Sequence, residues 1–99
     1  MKQVHIYYKV DPGSVEEIAG LIRGVYGELD ETKPQGYASE TLQLSTGNEF
    51  IQIASLEDET QDWPATQLEA FKPFEAALGE HCIEPPAVMP AASIARYIS

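Results

Sequence analysis

His5, Tyr7, Tyr37, Trp63, Arg96 and Tyr97 are the side chains of this sequence whose types could do chemistry together. An imidazole titrates near neutrality, which suits His5 to general-base work. Arg96 falls in a stretch that otherwise reads as an apolar strand, and a lone charge there needs an anionic partner. Tyrosine and tryptophan offer flat apolar walls with a polar tip. Such a set offers a proton acceptor, a positive charge and flat aromatic walls. Each residue also has a plainer role: an interface histidine, a salt-bridged arginine, and aromatic rings that close a core.

The other reactive types form no site. Cys82 is the only cysteine, so no intrachain disulfide and no CxxC metal or redox motif exists. His81 and Cys82 are adjacent and point apart on a helix, with no further ligands in a metal-binding spacing. No GxGxxG or phosphate-binding glycine loop is present. The acidic run Glu57–Asp62 fits a solvated loop leading into a helix N-terminus better than a metal site. No metal is expected.

These residues must be positioned by a short chain. Its 99 residues predict one domain, 1–99. Sixteen acids against six scattered bases give a net charge of −10. Nucleic acid and anionic membranes both call for a positive footprint, so neither is an expected partner. The start carries no basic and apolar leader, and no stretch approaches a membrane span, which makes the cytoplasm the expected location.

Val4, Ile6, Tyr8 and Val10 alternate with His5, Tyr7 and Lys9, the period of a strand. Asp11-Pro12-Gly13 ends it, and Ser14 with Glu17 reads as a capping box. Val15, Ile18, Ile22, Val25 and Leu29 then mark one face of a helix. Gly20, Gly24 and Gly27 on that helix predict close packing. A second strand is expected over Tyr37–Ser45, a tight hairpin at Thr46-Gly47-Asn48, and an apolar third strand over Glu49–Leu56. The second helix should start near Trp63-Pro64 and be kinked or split by Pro73. The last strand is expected over Ala91–Ile98.

The order βαββαβ predicts an α+β, ferredoxin-like fold. Right-handed crossovers give an antiparallel four-stranded sheet in the order fourth, first, third, second, with both helices on one face. Val4, Ile6, Tyr8 and Val10 should face the helices. The open face should carry His5, Tyr7, Tyr37 and Ser39, and a second copy of the chain is its natural cover.

In element order and size the chain resembles the dimeric α+β barrel proteins, and among them the antibiotic-biosynthesis-monooxygenase-like group. The resemblance rests on the apolar strand Phe50-Ile51-Gln52-Ile53-Ala54-Ser55, the aromatic helix Phe71-Lys72-Pro73-Phe74 and the final Ser93-Ile94-Ala95-Arg96-Tyr97. It implies a homodimer paired through the open sheet faces, with a space between each sheet and its helices. It also implies oxidation of a small phenolic or quinol molecule without a cofactor. In that reading His5 and Arg96 are the catalytic candidates, and Tyr7, Tyr37, Trp63 and Tyr97 are ligand-binding. A non-catalytic ligand-binding or interaction module of the same fold is the alternative. Haem-degrading members combine an Asn on the first strand with a Trp and a His. Here Trp63 and His81 match by type, but the only asparagine, Asn48, lies in the hairpin, which argues against haem.

Overall fold

The computed structural model describes residues 1–99. Strand β1 spans Lys2–Lys9, helix α1 Val15–Thr32, β2 Tyr37–Gln43, β3 Glu49–Leu56, helix α2 Phe71–His81 and β4 Ala87–Ala91. Short 3-10 turns precede each helix, at Pro12–Ser14 and Pro64–Gln67. The four strands form one sheet in the order β2-β3-β1-β4, every neighbouring pair antiparallel. This is the predicted ferredoxin-like arrangement. No helix is long and apolar enough to cross a membrane.

Both helices pack on one face of the sheet. Tyr8 and Val10 from the β1 side and Phe50 from β3 meet Ile18 and Val25 of α1 and Phe74 and Ala77 of α2 in one buried cluster. Tyr8 stacks on Phe50 with ring centroids 5.4 Å apart and meets Phe74 edge-on at 6.1 Å. Val4, Tyr8 and Val10 are buried as their alternation predicts. The β2–β3 turn forms where expected. Gly47 supplies the positive φ of 91°, and Asn48 ties the turn to Val10 through its side chain at 2.9 Å.

Four local expectations are corrected. First, Tyr37 and Ser39 lie on the helix face, not the open face. Tyr37 pairs with Leu56 and Ser39 with Ala54, and both of those partners are buried beneath the helices. Directly opposed residues share a face, so register decides the matter and not the hydrophobicity of β2. Leu42 and Ala38 are thereby turned to the open face.

Second, the last strand sits earlier than its alternating pattern suggested. Ala91 pairs with Gln3, and β1 begins only one residue beyond, at Lys2. Residues 92–99 run past the end of their template and form an exposed arm. Pro90 fits β4 because β4 is an edge strand, where one face of backbone donors needs no partner. Third, an added Cβ at Gly20, Gly24 or Gly27 would meet nothing within 4 Å, so these glycines serve no close packing. Fourth, the helical region divides before Pro73 and not at it. Leu68 is extended, and Pro73 falls in the first turn of α2, where its missing N–H costs nothing.

Candidate functional site

The second crossover builds a cleft between the sheet and α2. Val4, Ile6 and Ala54 form its floor, Ala65 and Phe71 its helical wall, and Tyr37 and Trp63 its aromatic end, around a cavity of about 230 Å³, the outer cavity. A second cavity of about 310 Å³, the inner cavity, continues the cleft along α2, between Tyr8, Phe74, Leu78 and Pro86. Ile6, Gln52 and Phe71 line both. Together they reach the size range of small-molecule sites, which are mostly apolar with a few fixed polar groups.

The 3-10 turn Pro64–Gln67 directs the wall. Trp63 precedes it in extended conformation, and its carbonyl accepts from the Thr66 hydroxyl at 2.7 Å. The indole meets the Tyr37 ring edge-on with centroids 6.3 Å apart. Burial raises the Tyr37 phenol above its ordinary range, so it is a neutral donor at physiological pH.

Behind the cleft, a chain of polar groups starts from Gln52. The Gln52 amide donates to Ser39 Oγ at 3.2 Å. Ser39 Oγ lies 2.8 Å from the Tyr26 hydroxyl, which lies 2.8 Å from Thr41 Oγ1. Gln52 is thus the one carboxamide exposed to both cavities, with its orientation held by α1 and β2. Tyr8 lines the inner cavity, but its buried hydroxyl has no hydrogen-bond partner. Burial raises that phenol strongly.

The structure separates the six predicted site residues. Tyr37 and Trp63 meet at the cleft. His5 and Tyr7 point to the opposite face of the sheet, paired in register with Ile53 and Ile51. There the Tyr7 hydroxyl donates to the Glu49 carboxylate. Arg96 and Tyr97 belong to the exposed arm, and Tyr97 is 87% exposed. Arg96 is therefore not a buried strand charge. It lines a broad hollow of about 720 Å³ between the arm and the open face, with Gln3, Glu40 and Ile53. That hollow is larger than the cleft but wide open, and no aromatic ring walls it.

Sequence reasoning missed Gln52 and Phe71 as lining groups, since both read as ordinary members of their elements. It also missed the setting of His81. This imidazole does not line the cleft. Its Nδ1 lies 2.9 Å from Ser14 Oγ, and its Nε2 lies 3.2 Å from Glu17. Ser14 Oγ donates to Asp11 at 2.9 Å, so the expected capping box is replaced by a tie between the start of α1 and the end of α2. No three His, Cys, Asp or Glu side chains are grouped to hold a metal ion.

No family model and no curated protein matches the sequence. Solved structures do match the fold. One is a protein from Nitrosomonas europaea named for the antibiotic biosynthesis monooxygenases. It superposes with a TM-score of 0.81 at 11% identity, covering 96% of this chain and 100% of that one. A protein of the same designation from Bacteroides thetaiotaomicron gives 0.79 at 13% identity, covering 99% and 94%. A variant of SnoaB, described as a cofactor-independent oxygenase from Streptomyces nogalater, gives 0.72 at 14% identity, covering 96% and 94%. The helix-backed antiparallel sheet of this chain therefore shares the ferredoxin-like α+β fold of these antibiotic-biosynthesis-monooxygenase-like structures.

Proposed function

We propose that the protein is a cofactor-independent monooxygenase acting on a small phenolic or quinol molecule held in the cleft. The observation that carries this is the continuous apolar cleft, closed at one end by Tyr37 and Trp63 and floored by the Gln52 amide. The likeness to SnoaB in fold supports the same class of reaction.

The chemistry balances without a cofactor. A quinol and dioxygen give a hydroxyquinone and water. One oxygen atom enters the ring, the other leaves as water, and the substrate supplies all four electrons. The reacting form is the electron-rich anion. His5 is on the far side of the sheet, and the outer cavity is lined by no carboxylate or imidazole. The substrate must then be acidic enough to ionise in water or on entry. The cleft contributes exclusion of water, a flat aromatic seat and donors from Tyr37 and Gln52 for the substrate oxygens.

The open face supports a second part of the proposal, a homodimer. Ile51, Ile53, Leu42 and Met89 turn toward it, and Leu42 and Met89 are 41% and 50% exposed in the single chain. Pairing two such faces would cover them.

Oxygen uptake with a panel of quinols tests the reaction. Uptake above the spontaneous rate, with a hydroxyquinone as product, is expected. Binding of the quinols without uptake would leave the protein a ligand-binding module. Neither binding nor uptake would remove the cleft from consideration.

A further inference from the structure

An apolar cleft that takes an anion needs a counter-charge, since burying an unpaired charge is costly. None of the six basic side chains lines the outer cavity. Five of them are placed elsewhere. Lys9 faces Glu49 across the open face, Arg23 and Lys33 are exposed on and after α1, Lys72 pairs with Glu69 at 3.4 Å, and Arg96 is in the arm. The sixth is Lys2.

Lys2 opens β1 on the helix face. It pairs with Leu56, which pairs in turn with Tyr37, so the three form one row across the sheet. Trp63 lies over that row. Its ring meets Tyr37 edge-on, and the Lys2 ammonium sits over it, 4.8 Å from the centroid. Lys2 Nζ also donates to the Gln61 carbonyl, two residues before the indole. The ammonium does not line the cavity, whereas the indole does. Lys2 therefore holds both the ring and the loop that leads to it.

We propose that Lys2 is a positioning residue that sets Trp63 as the wall of the cleft and, acting through the indole, makes the cleft prefer a phenolate to the neutral phenol. The proposal rests on the cleft being the binding site. A cation over an indole withdraws its π density. The ring then stacks better on an electron-rich partner, and the positive field reaches a ligand lying against it. The charges that oppose it are the four carboxylates of the loop before Trp63, Glu57, Asp58, Glu59 and Asp62, and Glu75. Tyr37 in the outer cavity is neutral. Glu75, with Tyr8, lines the inner cavity. On the loop side, the Asp58 carboxyl is held below its ordinary range chiefly by bonds from Thr60, and it also feels Lys2. Glu59 is engaged by the amino group of Met1 at 3.7 Å.

The test uses the full chain, 4-nitrophenol as the probe, and the variants Lys2→Met and Lys2→Arg. Methionine keeps an apolar stem and loses the charge. Arginine keeps the charge and the stacking on tryptophan. Trp63 is the single tryptophan, so its emission reports this indole alone. Lys2→Met should red-shift that emission, weaken phenolate binding about two- to five-fold, the worth of one exposed cation–π contact, and raise the pH at which the bound probe ionises. Lys2→Arg should match the parent in all three. An unchanged emission in Lys2→Met overturns the positioning role. An unchanged titration of the bound probe overturns the preference for the anion, because loss of packing alone would weaken both probe forms alike. If the parent protein binds neither form, the cleft itself fails as the site, which is a separate result.

Discussion

The Glu28 carboxylate of α1 accepts a hydrogen bond from the Ala70 backbone N–H of the segment entering α2, at 2.9 Å. Its other oxygen accepts from the Glu69 N–H at 3.1 Å. The first N–H groups of a helix have no partner within it, and α2 has no side-chain cap of its own. One helix thus caps the other across 42 residues of sequence, and the negative charge also suits the helix dipole. Glu28→Ala should cost about 1–2 kcal/mol in a urea melt, the usual worth of a lost N-cap. Glu28→Gln, which keeps one acceptor, should fall between the two. Because Phe71 begins α2 and lines both cavities, the alanine variant should also bind a cleft ligand more weakly. Equal stability of all three proteins would show that water caps the helix as well as Glu28 does.

The Tyr7–Glu49 pair on the open face predicts two pH limits. The bond to Glu49 raises the Tyr7 phenol from its ordinary value to about 12, while the same bond lowers the Glu49 carboxyl. A phenol raised in the folded state stabilises fully below its unfolded value, near ~10, and that contribution fades as pH rises through about 12. A lowered carboxyl stabilises above the ordinary glutamate range and loses its contribution as pH falls through the folded value. The pair should therefore be complete from mildly acidic to mildly alkaline solution. Ring-resolved NMR titration should find Tyr7 ionising late, and Glu49→Gln should bring it back toward the ordinary tyrosine range. An unshifted Tyr7 in the parent protein would refute the pairing.

Tyr8 carries its hydroxyl into the core without a partner, while its ring stacks on Phe50. An unsatisfied buried hydroxyl is paid for in full on folding. Tyr8→Phe keeps the ring contacts and removes the orphan. Its midpoint in urea should be no lower than that of the parent and should reflect a gain of about 1 kcal/mol. A loss of more than about 1 kcal/mol would mean that the hydroxyl has a partner in solution, such as a bound water.

The element order was legible because it rests on local periodicity. The Phe50, Ile51, Ile53, Ala54, Leu56 run read as a strand with the observed limits, Glu49–Leu56. Which face of β2 lies under the helices was not legible. Tyr37 and Ser39 read as open-face residues, yet they and Thr41 point inward, because their register sets them opposite Leu56, Ala54 and Gln52, and Tyr26 bonds the Ser39 and Thr41 hydroxyls. The pattern in Ser93–Ile98 was a strand pattern without a strand, since β1 ends before those residues can pair. The candidate site suffered most. Tyr37 and Trp63 were identifiable by type, but what joins them is a row of pairings from Lys2 through Leu56 to Tyr37. Contacts between residues so distant in sequence leave no periodic trace.

Ala54 tests the location of the site. It is 2% exposed, lies on β3 and faces the outer cavity. Ala54→Leu places added carbons into existing space, so it should cost less than the 1–3 kcal/mol typical of overpacking a full core. The same carbons occupy the seat of a ligand and should weaken its binding about ten-fold or more, measured by calorimetry. Unchanged affinity would move the site to another surface.

Ile53 tests the assembly. It sits on β3 with His5 on one side and Glu40 on the other, in the middle row of the open face. If two open faces pair, Ile53 is buried in the dimer while remaining partly exposed in the single chain. Ile53→Lys then acts differently on the two equilibria. Within the subunit the change is a surface substitution, generally within about 0.5 kcal/mol. Across the interface it places an ammonium from each subunit near the symmetry axis, where both must be desolvated close to a like charge. Light scattering at micromolar concentration should give a dimer mass for the parent and a monomer mass for Ile53→Lys, with unchanged far-ultraviolet circular dichroism. A monomeric parent would refute the pairing outright. A dimeric Ile53→Lys would move the interface from this face to another, for which the exposed apolar arm at Ile94 and Ile98 is the first place to look.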